Sequence, residues 1–283
     1  MRDRKHKITS RDRMILSLLG EYGCISAGRL KSHFWKTTAK SHTHFRRIGV
    51  LKKHRFIENV LGDGGITIGY RLTKKGKRFL LLGSSLESRS VLRKSYRTDF
   101  EHDQLLIDLR SMLRESPLVG DFKTEAEVRT ELFSETTKLI HWESVTTIPD
   151  ATFVFKAPGH QMRVAVELEL TAKVKRRYAR IFRSHLLSKN WKMVIYIVKD
   201  LNFQKRLMKI LSDIKERDVQ VRLASEINGI YFCSLGDFLQ NRLDAKITNG
   251  KREISLQEIA QNFGLSKTIP LAANVPGSMP NSV

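Results

Sequence analysis

The sequence predicts a mixed α/β protein, α+β overall, in which a small helical domain with one β-hairpin precedes a larger α/β domain with a mixed sheet. Three observations predict this fold class. The chain has 283 residues, a length that favours two domains over one. Its composition, 41% hydrophobic and 28% charged, is typical of a folded globular chain. Helical periodicity dominates the first third, whereas strand-like and helical segments alternate afterwards.

Basic residues are unevenly distributed along the chain, whose formal net charge is +22. Residues 1–100 hold 24 Lys and Arg against 7 Asp and Glu, residues 101–170 hold 7 against 13, and residues 171–200 hold 9 against 1. Such an excess of positive charge indicates a polyanionic partner, nucleic acid first. Two basic regions separated by an acidic one favour DNA held over an acidic site, rather than a uniform coating of nucleic acid.

The composition disfavours several classes of protein. No apolar run approaches the roughly 20 residues of a bilayer span. No apolar core follows the basic N-terminus, so we expect a cytoplasmic protein without membrane association. Cys24 and Cys233 are too few for a disulfide framework or a structural zinc site, and we expect both to be buried small hydrophobes.

Residues 8–83 are predicted to form the first domain, which begins with three short helices. Ser10 is predicted to cap the first helix, and Ser26 the second. The apolar face of the first helix is predicted to comprise Met14, Ile15, Leu18 and Leu19. The third helix runs from about Ala39 to Lys53, and its predicted buried side comprises Phe45, Ile48 and Leu51.

A β-hairpin follows these helices. Phe56–Leu61 and Ile66–Leu72 have strand character, and the glycine-rich residues 62–65 signal a turn between them. Thr73 is predicted to cap the helix that resumes afterwards. Three helices with a basic third one and a terminal hairpin are typical of a winged helix-turn-helix. The passage Tyr70–Gly76 resembles the end of the wing in many bacterial winged-helix regulators.

The first domain is expected to bind double-stranded DNA through the third helix and the exit of the hairpin. Its candidate contact residues are Lys40, His42, Thr43, Arg46, Arg47, Lys52, Lys53, Arg71, Lys74, Lys75 and Lys77. The sequence does not separate phosphate contacts from base readout. A protein-docking role for such a domain also stays open.

Residues 84–98 are predicted to be a linker, residues 99–245 an α/β domain, and residues 246–283 a short helix at 254–263 with a disordered tail. Docking of a partner is one interpretation of that short helix. Helices of the α/β domain are predicted at about 99–114, 173–187 and 202–217. Its strands are predicted at 118–122, 128–133, 151–156, 162–170, 191–198, 219–223 and 230–233.

Two acidic residues interrupt an apolar strand of the second domain. Glu167 and Glu169 lie on the same face of this strand by alternation, and Asp150 opens the strand before it. Buried carboxylates are costly unless a cation or hydrogen bonds offset them. Carboxylate oxygens are ligands of Mg²⁺ and Mn²⁺, either of which would activate water and neutralise a phosphodiester. A basic run that includes Lys173, Lys175, Arg176, Arg177, Arg180 and Arg183 follows at once.

At these residues the chain resembles the PD-(D/E)XK nuclease superfamily, with Pro149-Asp150 and Glu167-Leu168-Glu169 at its two motif halves. The resemblance implies a restriction-endonuclease-like fold with Asp150, Glu167 and Glu169 as catalytic metal ligands. The last motif position holds Glu169 instead of lysine. Since some members carry that lysine in the following helix, Lys173 or Lys175 would substitute.

The resemblance implies two further features of this site. Some members use an extra carboxylate, for which Glu101 and Glu125 are the candidates. The cofactor would be Mg²⁺ or Mn²⁺ if the site is catalytic. A nuclease-like scaffold without catalysis, and without any cofactor, stays open.

The whole arrangement resembles the replication-relaxation family of bacterial plasmids and integrated mobile elements, in which a winged helix precedes a nuclease-like domain. The likeness covers about residues 8–235. It is carried by Tyr70-Arg71-Leu72-Thr73, Gly76, Phe100-Glu101-His102, Phe122-Lys123-Thr124-Glu125, Val128-Arg129, Pro149-Asp150-Ala151 and Val166-Glu167-Leu168-Glu169. What the resemblance implies is a role in DNA processing, replication or transfer.

Three functions therefore stay open. The leading hypothesis is a DNA-binding protein whose second domain adds backbone contacts through Arg176, Arg177 and Arg180. The second is an active divalent-metal-dependent DNA endonuclease, and the third is a sequence-specific transcriptional regulator or an adaptor for a relaxase or replication protein. The expected partners are double-stranded DNA, replication, transfer or recombination proteins, and a second copy in a homodimer.

Overall fold

The computed structural model describes residues 8–35, 42–83, 100–136, 147–157 and 160–265. These residues form two compact units, the first comprising the chain up to Met112 together with the segment from Thr124, and the second comprising Leu113–Lys123 and the chain from 147 onward. The fold is mixed α/β with a seven-stranded mixed sheet, which confirms the predicted fold class. No helix in these ranges combines the length and apolar character needed to cross a membrane. The predicted linker, residues 84–98, and the predicted disordered tail lie outside the described residues.

The first unit begins with three helices, α1 (Ser10–Tyr22), α2 (Ala27–Phe34) and α3 (His42–Lys53). Thr9, and not Ser10, caps α1. The Thr9 hydroxyl accepts a hydrogen bond from the Asp12 amide, and the Asp12 carboxylate accepts from the Thr9 amide at 2.7 Å. Ser26 caps α2, as predicted, by accepting from the Arg29 amide at 3.3 Å.

The predicted apolar faces of α1 and α3 are wrong at one residue each. Met14 is 58% exposed and Phe45 is 60% exposed. The inward face of α3 is instead formed by His44, Ile48 and Leu51. These three residues recur at the spacing of one helix face, so the neighbouring Phe45 lies off that face.

Three short strands form an antiparallel sheet in the first unit, in the order β1-β3-β2. They are β1 (Cys24–Ile25), β2 (Ile57–Leu61) and β3 (Thr67–Leu72), and the turn between β2 and β3 lies at the predicted place. The helix α4 (Lys74–Gly83) follows, and Thr73 caps it by accepting from the Gly76 amide at 3.1 Å. The elements occur in the predicted order, while their assignment to the winged-helix class stays a prediction.

Two more helices, α5 (Phe100–Arg114) and α6 (Glu125–Thr136), lie almost wholly in the first unit, although the second domain is predicted to begin at residue 99. The buried Gln104 of α5 accepts from the Ser26 amide and donates to the Cys24 carbonyl, both at 2.8 Å. Arg29 of α2 forms a bidentate ion pair with Asp108 of α5, with distances of 2.7–2.9 Å. Polar contacts thus fix α5 against β1 and α2.

Two segments with predicted strands are helical. Residues 128–133 lie in α6, at whose start Glu127 accepts from the amide and the hydroxyl of Thr124. Residues 219–223 lie in α9 (Val219–Ile227), where Asp218 accepts from the Gln220 and Val221 amides at 3.0 and 3.2 Å. These caps stabilise a helix start where the β-branched residues alone favour a strand.

The second unit is built on the seven-stranded sheet, in the order β10-β9-β8-β7-β6-β5-β4. Its strands are β4 (Val119–Thr124), β5 (Ala151–Ala157), β6 (His160–Glu169), β7 (Met193–Val198), β8 (Gly229–Ser234), β9 (Lys246–Thr248) and β10 (Glu253–Ser255). The three central strands β6, β7 and β8 are parallel, and β5 and β9 flank them antiparallel.

Helices α7 (Lys175–Leu187), α8 (Leu201–Arg217) and α9 cover one face of this sheet. The core between them and the sheet is aromatic. Tyr178 and Phe182 of α7 pack with Tyr196 of β7 and Phe232 of β8, and the ring centroids of Phe182 and Tyr196 are 5.1 Å apart. The remaining helices are α10 (Leu235–Asn241) and α11 (Leu256–Leu265), the second of which includes most of the predicted helix at 254–263.

Candidate functional site

Three carboxylates meet near the end of β6. Glu167 and Glu169 both bond to side chains of α7, so they share a face of the strand, as alternation predicts. Asp150 stands immediately before β5 and accepts a hydrogen bond from the Leu168 amide at 2.8 Å. The β5–β6 register pairs Ala151 with Val166, and this pairing places Asp150 beside the two glutamates.

Glu167 is paired with a histidine that the sequence does not single out. Nε2 of His185, on α7, lies 2.9 Å from Oε1 of Glu167, and both side chains are buried. Burial, followed by the charge of Asp150, raises the pKa of Glu167 to about 7, while the contact with His185 lowers it. His185 packs against the rings of Trp191 and Tyr196, at centroid distances of 5.5 and 6.1 Å. A lone histidine in a basic helix offers no signal of this role.

Glu169 has a cation and a hydroxyl as its partners. It forms an ion pair with Lys173, and the Tyr178 hydroxyl donates to its other oxygen at 3.3 Å. Burial raises the pKa of Glu169, while the hydrogen bond from Lys173 lowers it. The Tyr178 hydroxyl also accepts from the Lys173 amide at 3.1 Å, which fixes the start of α7 beside the carboxylates.

Three other residues are predicted for a catalytic role. Lys175 pairs with Asp213 of α8 at 2.6 Å instead of joining the carboxylates. Glu101 is an exposed residue of α5, and Glu125 at the start of α6 pairs with Arg129 at 2.7 Å. Both of these glutamates belong to the first unit. Within the second unit, the structure brings together Asp150, Glu167, Glu169 and Lys173 from the predicted set.

The donor chemistry of this cluster suits a hard divalent cation, because all three acidic groups are carboxylates. Among the described residues, however, no three His, Cys, Asp or Glu side chains converge as ligands of one metal ion. Lys173 forms an ion pair with Glu169, and Nε2 of His185 forms a hydrogen bond with Glu167.

Three buried polar atoms next to the cluster have no hydrogen-bond partner within the described chain. They are Nδ1 of His185, Nε1 of Trp191 and the hydroxyl of Tyr196. Tyr196 lies directly opposite Glu167 in the β6–β7 register. Burial, followed by the charge of Glu167, raises the pKa of Tyr196 well above its ordinary value, so its hydroxyl stays protonated.

Some of the basic residues predicted to contact DNA form ion pairs within the fold, whereas others are exposed to solvent. Arg47 of α3 forms an ion pair with the fully buried Asp12 of α1, so this predicted contact residue joins two helices of the fold. Arg71 pairs with Glu58 at 2.6 Å. By contrast, Arg46 is exposed. Lys40 lies outside the described residues, and the structure describes only the backbone of His42.

Most of the other predicted contacts are exposed to solvent. The exposed residues of the first unit include Thr43, Lys52, Lys53, Lys74 and Lys75, whereas Lys77 is half-buried. In the second unit, Arg176, Arg177 and Arg180 of α7 are exposed. The neighbouring α8 adds the exposed Lys205, Arg206 and Lys209, which are not among the predicted contacts although their spacing along the sequence is that of a basic helix.

Comparisons with protein-family models, with curated proteins and with solved structures find no match for this chain. The features that bear on function are therefore those of the residues themselves. In the second unit these are buried carboxylates paired with His185 and Lys173. In the first unit they are exposed cations of α3 and α4.

Proposed function

We propose that the protein binds double-stranded DNA through its first unit, with α3 and the β2–β3 hairpin of a winged helix against the duplex. One observation carries this proposal. Arg46, Lys52 and Lys53 of α3 and Lys74 and Lys75 of α4 are exposed, and none of them forms an ion pair with a described carboxylate. Cations in this state are suited to neutralise the phosphates of a duplex.

The order of the elements supports the same proposal. Three helices with an antiparallel sheet in the order β1-β3-β2 are typical of winged helices, in which the third helix enters the major groove. Two adjacent arginines of that helix have different roles in this proposal. Arg47 joins α3 to α1 through Asp12, while Arg46 faces solvent and contacts DNA.

The second unit adds backbone contacts in this proposal through the exposed arginines of α7, Arg176, Arg177 and Arg180. The motif resemblance supports membership of the replication-relaxation family. It also supports a role in DNA processing, replication or transfer on a mobile element. In that family a winged helix precedes a nuclease-like domain, and the proposed winged helix and the α/β unit with its carboxylate cluster would correspond to these two parts.

The duplex-binding proposal is tested by mobility shift of the full chain at several salt concentrations. Affinity is expected to fall steeply between 50 and 200 mM salt, by about 10³-fold or more if six phosphates are contacted. Arg46→Ala is expected to weaken binding by about tenfold, a loss of roughly 1.4 kcal/mol. The matched control is Arg222→Ala, since Arg222 is an exposed arginine of α9. Salt-independent binding, or an equal loss in both variants, would contradict the proposal.

A second candidate function is a divalent-metal-dependent DNA endonuclease. The specific observation that favours it is the placement of Asp150 beside Glu167 and Glu169, with Lys173 paired to Glu169. The test incubates supercoiled plasmid with Mn²⁺ and either the native chain, Asp150→Asn, or the exposed control Asp244→Asn. Nicking by the native chain and the control, with loss in Asp150→Asn, is expected for an endonuclease. Equal nicking by all three proteins, or none by any, would rule it out.

A further inference from the structure

An apolar surface faces solvent on helix α9 of the second unit. Val219, Leu223 and Ile227 are 56%, 54% and 62% exposed. They recur every four residues, so they lie along one face of the helix, and we call this row the α9 stripe. Among the side chains that the structure describes, no other helix carries more than one exposed large apolar residue. Single exposed apolar residues are ordinary on a protein surface, whereas a contiguous row indicates an interaction site.

Leu187, at the end of α7, extends the α9 stripe. Asn228 follows Ile227 directly, and its Nδ2 donates to the carbonyls of Leu186 and Ser188 at 2.7 and 3.0 Å. These two residues flank Leu187, whose side chain is also exposed. The end of α7 therefore lies beside the Ile227 end of the stripe and adds a fourth apolar side chain to the surface.

The helix that carries the stripe is fixed at its other end too. Asp218 caps α9 and forms an ion pair with Arg183 of α7. On the inner face of α9, Val221 is fully buried in the core between the helices and the sheet. A helix held at both ends loses little conformational freedom on binding, so the stripe is a preorganised contact surface.

Two exposed charges of opposite sign stand beside the stripe. Arg222 and Glu226 are four residues apart, so both lie along the same flank of α9. Within the part of the chain that the structure describes, neither of them forms an ion pair. An arginine four residues before a glutamate is the less favourable order for a pair within one helix. Both charges are therefore open to a partner that covers the stripe.

We propose that the α9 stripe binds the α9 stripe of a second copy of this chain, with the two helices antiparallel about a two-fold axis at Leu223. Leu223 then contacts its own equivalent, and Val219 contacts Ile227 of the second copy. The two-fold axis places each flank of one helix next to the same flank of the other. Arg222 therefore lies beside Glu226 of the second copy, about 3 Å away along the helix axis. Two equivalent ion pairs flank the apolar contact.

The charge pattern is the reason for assigning a second copy to this surface. An antiparallel pair of identical helices needs opposite charges on one flank, one on either side of the two-fold axis, and Arg222 and Glu226 supply them within a single helix. Four apolar side chains from each chain bury less than the roughly 1,200 Å² of a standard interface, so the association is weak. We expect a dissociation constant on the order of 10–100 µM.

This association does not depend on the proposed duplex binding. A mobility shift uses chain concentrations far below this dissociation constant, where the chain is monomeric. Arg222→Ala therefore remains a control for duplex binding.

Sedimentation velocity of the full chain, from about 1 to about 200 µM at constant salt, tests the dimer. The native chain is expected to pass from monomer to dimer over this range. Leu223→Glu is expected to weaken the association by about tenfold or more, because it places two like charges at the centre of the contact. Leu201→Glu is the matched control, since Leu201 is an exposed leucine at the start of α8 and lies outside the stripe.

A second pair of variants tests the ion pairs. Arg222→Glu places a glutamate beside Glu226 of the second copy, and Glu226→Arg places two arginines together. Each variant alone is therefore expected to associate about threefold more weakly or less than that. An equimolar mixture of the two variants restores opposite charges at both positions, so it is expected to form a mixed dimer about as strongly as the native chain.

Four results would overturn the proposal, provided that circular dichroism shows each variant to be folded. The first is a native chain that stays monomeric up to about 200 µM. The second is an equal loss in Leu223→Glu and Leu201→Glu, and the third is a mixture of the charge variants that associates no better than either alone. The fourth is a dimer that forms only after removal of residues 266–283, since that segment would then be the occupant of the stripe. Failure of duplex binding would contradict only the proposed function.

Discussion

Nε2 of His185 lies 2.9 Å from Oε1 of Glu167 in the second unit, and neither side chain is exposed to solvent. Glu167 stands near the end of β6 between the buried apolar residues Val166 and Leu168, and its partner comes from α7. A buried carboxylate without a donor costs several kcal/mol. The pair therefore joins α7 to β6, and it makes an acidic residue tolerable in this strand.

Removal of one member of this pair is expected to destabilise the fold. His185→Ala leaves Glu167 buried without its donor, and we expect the free energy of unfolding to fall by about 2–4 kcal/mol. Adding Glu167→Gln to His185→Ala removes the orphaned charge, so the double variant is expected to lose less than the sum of the two single losses, by roughly 1 kcal/mol. Urea denaturation of the four proteins measures this coupling. Strict additivity would contradict the pairing.

The raised pKa of Glu167 predicts a pH dependence of stability. Because the folded state binds the Glu167 proton more tightly than the unfolded state, stability falls as the pH rises from about 4.5 to about 7. The slope contributed by this single group is at most about 1.4 kcal/mol per pH unit. The test compares the urea midpoints of the native chain and of Glu167→Gln at pH 5, 6, 7 and 8. The variant is expected to lack the loss of stability that Glu167 causes between about pH 4.5 and 7. Parallel profiles would show that Glu167 is not the titrating group.

Substitutions of the two adjacent arginines of α3 are expected to affect different properties, stability for Arg47 and DNA binding for Arg46. Arg47→Ala leaves the buried carboxylate of Asp12 without its cation, so we expect a loss of about 2–4 kcal/mol in the free energy of unfolding. Arg46→Ala changes an exposed residue and should alter stability by less than about 0.5 kcal/mol. Thermal denaturation compares the two. A larger loss in Arg46→Ala than in Arg47→Ala would contradict these assignments.

Gln104 is expected to stabilise the first unit, although it lies beyond the predicted domain boundary. Gln104→Ala removes the partners of the Cys24 carbonyl and the Ser26 amide, and we expect a loss of about 1–3 kcal/mol. The control is Gln240→Ala, an exposed glutamine of α10 that should change stability by less than about 0.5 kcal/mol. Equilibrium unfolding of both variants decides whether α5 is energetically part of this unit.

Both thiols are expected to be unreactive in the folded protein. Cys24 and Cys233 are buried, as predicted, and burial raises the pKa of each thiol to about 12. Since the thiolate is the reactive form, a disulfide reagent at pH 8 should modify neither residue in native buffer and both in 8 M urea. Rapid modification of a native thiol would contradict the burial of that cysteine.

Local patterns in the sequence were sufficient for part of the fold and of the site. Ser26 and Thr73 cap α2 and α4, because a cap depends on residues three positions away. The alternation of one strand placed Glu167 and Glu169 on a common face. Other local signals competed, and for residues 128–133 and 219–223 the helix caps outweighed the β-branched residues that favoured strands.

Local patterns along the chain were enough to predict the mixed α/β class, the order of most elements and the identity of the clustered carboxylates. The partners were set by tertiary packing: His185 for Glu167, Asp12 for Arg47, and Gln104 for the backbone of Cys24 and Ser26. Such pairs join residues 18 to 80 positions apart. No periodicity along the chain encodes them, because they depend on which helix face meets which strand once the core has packed.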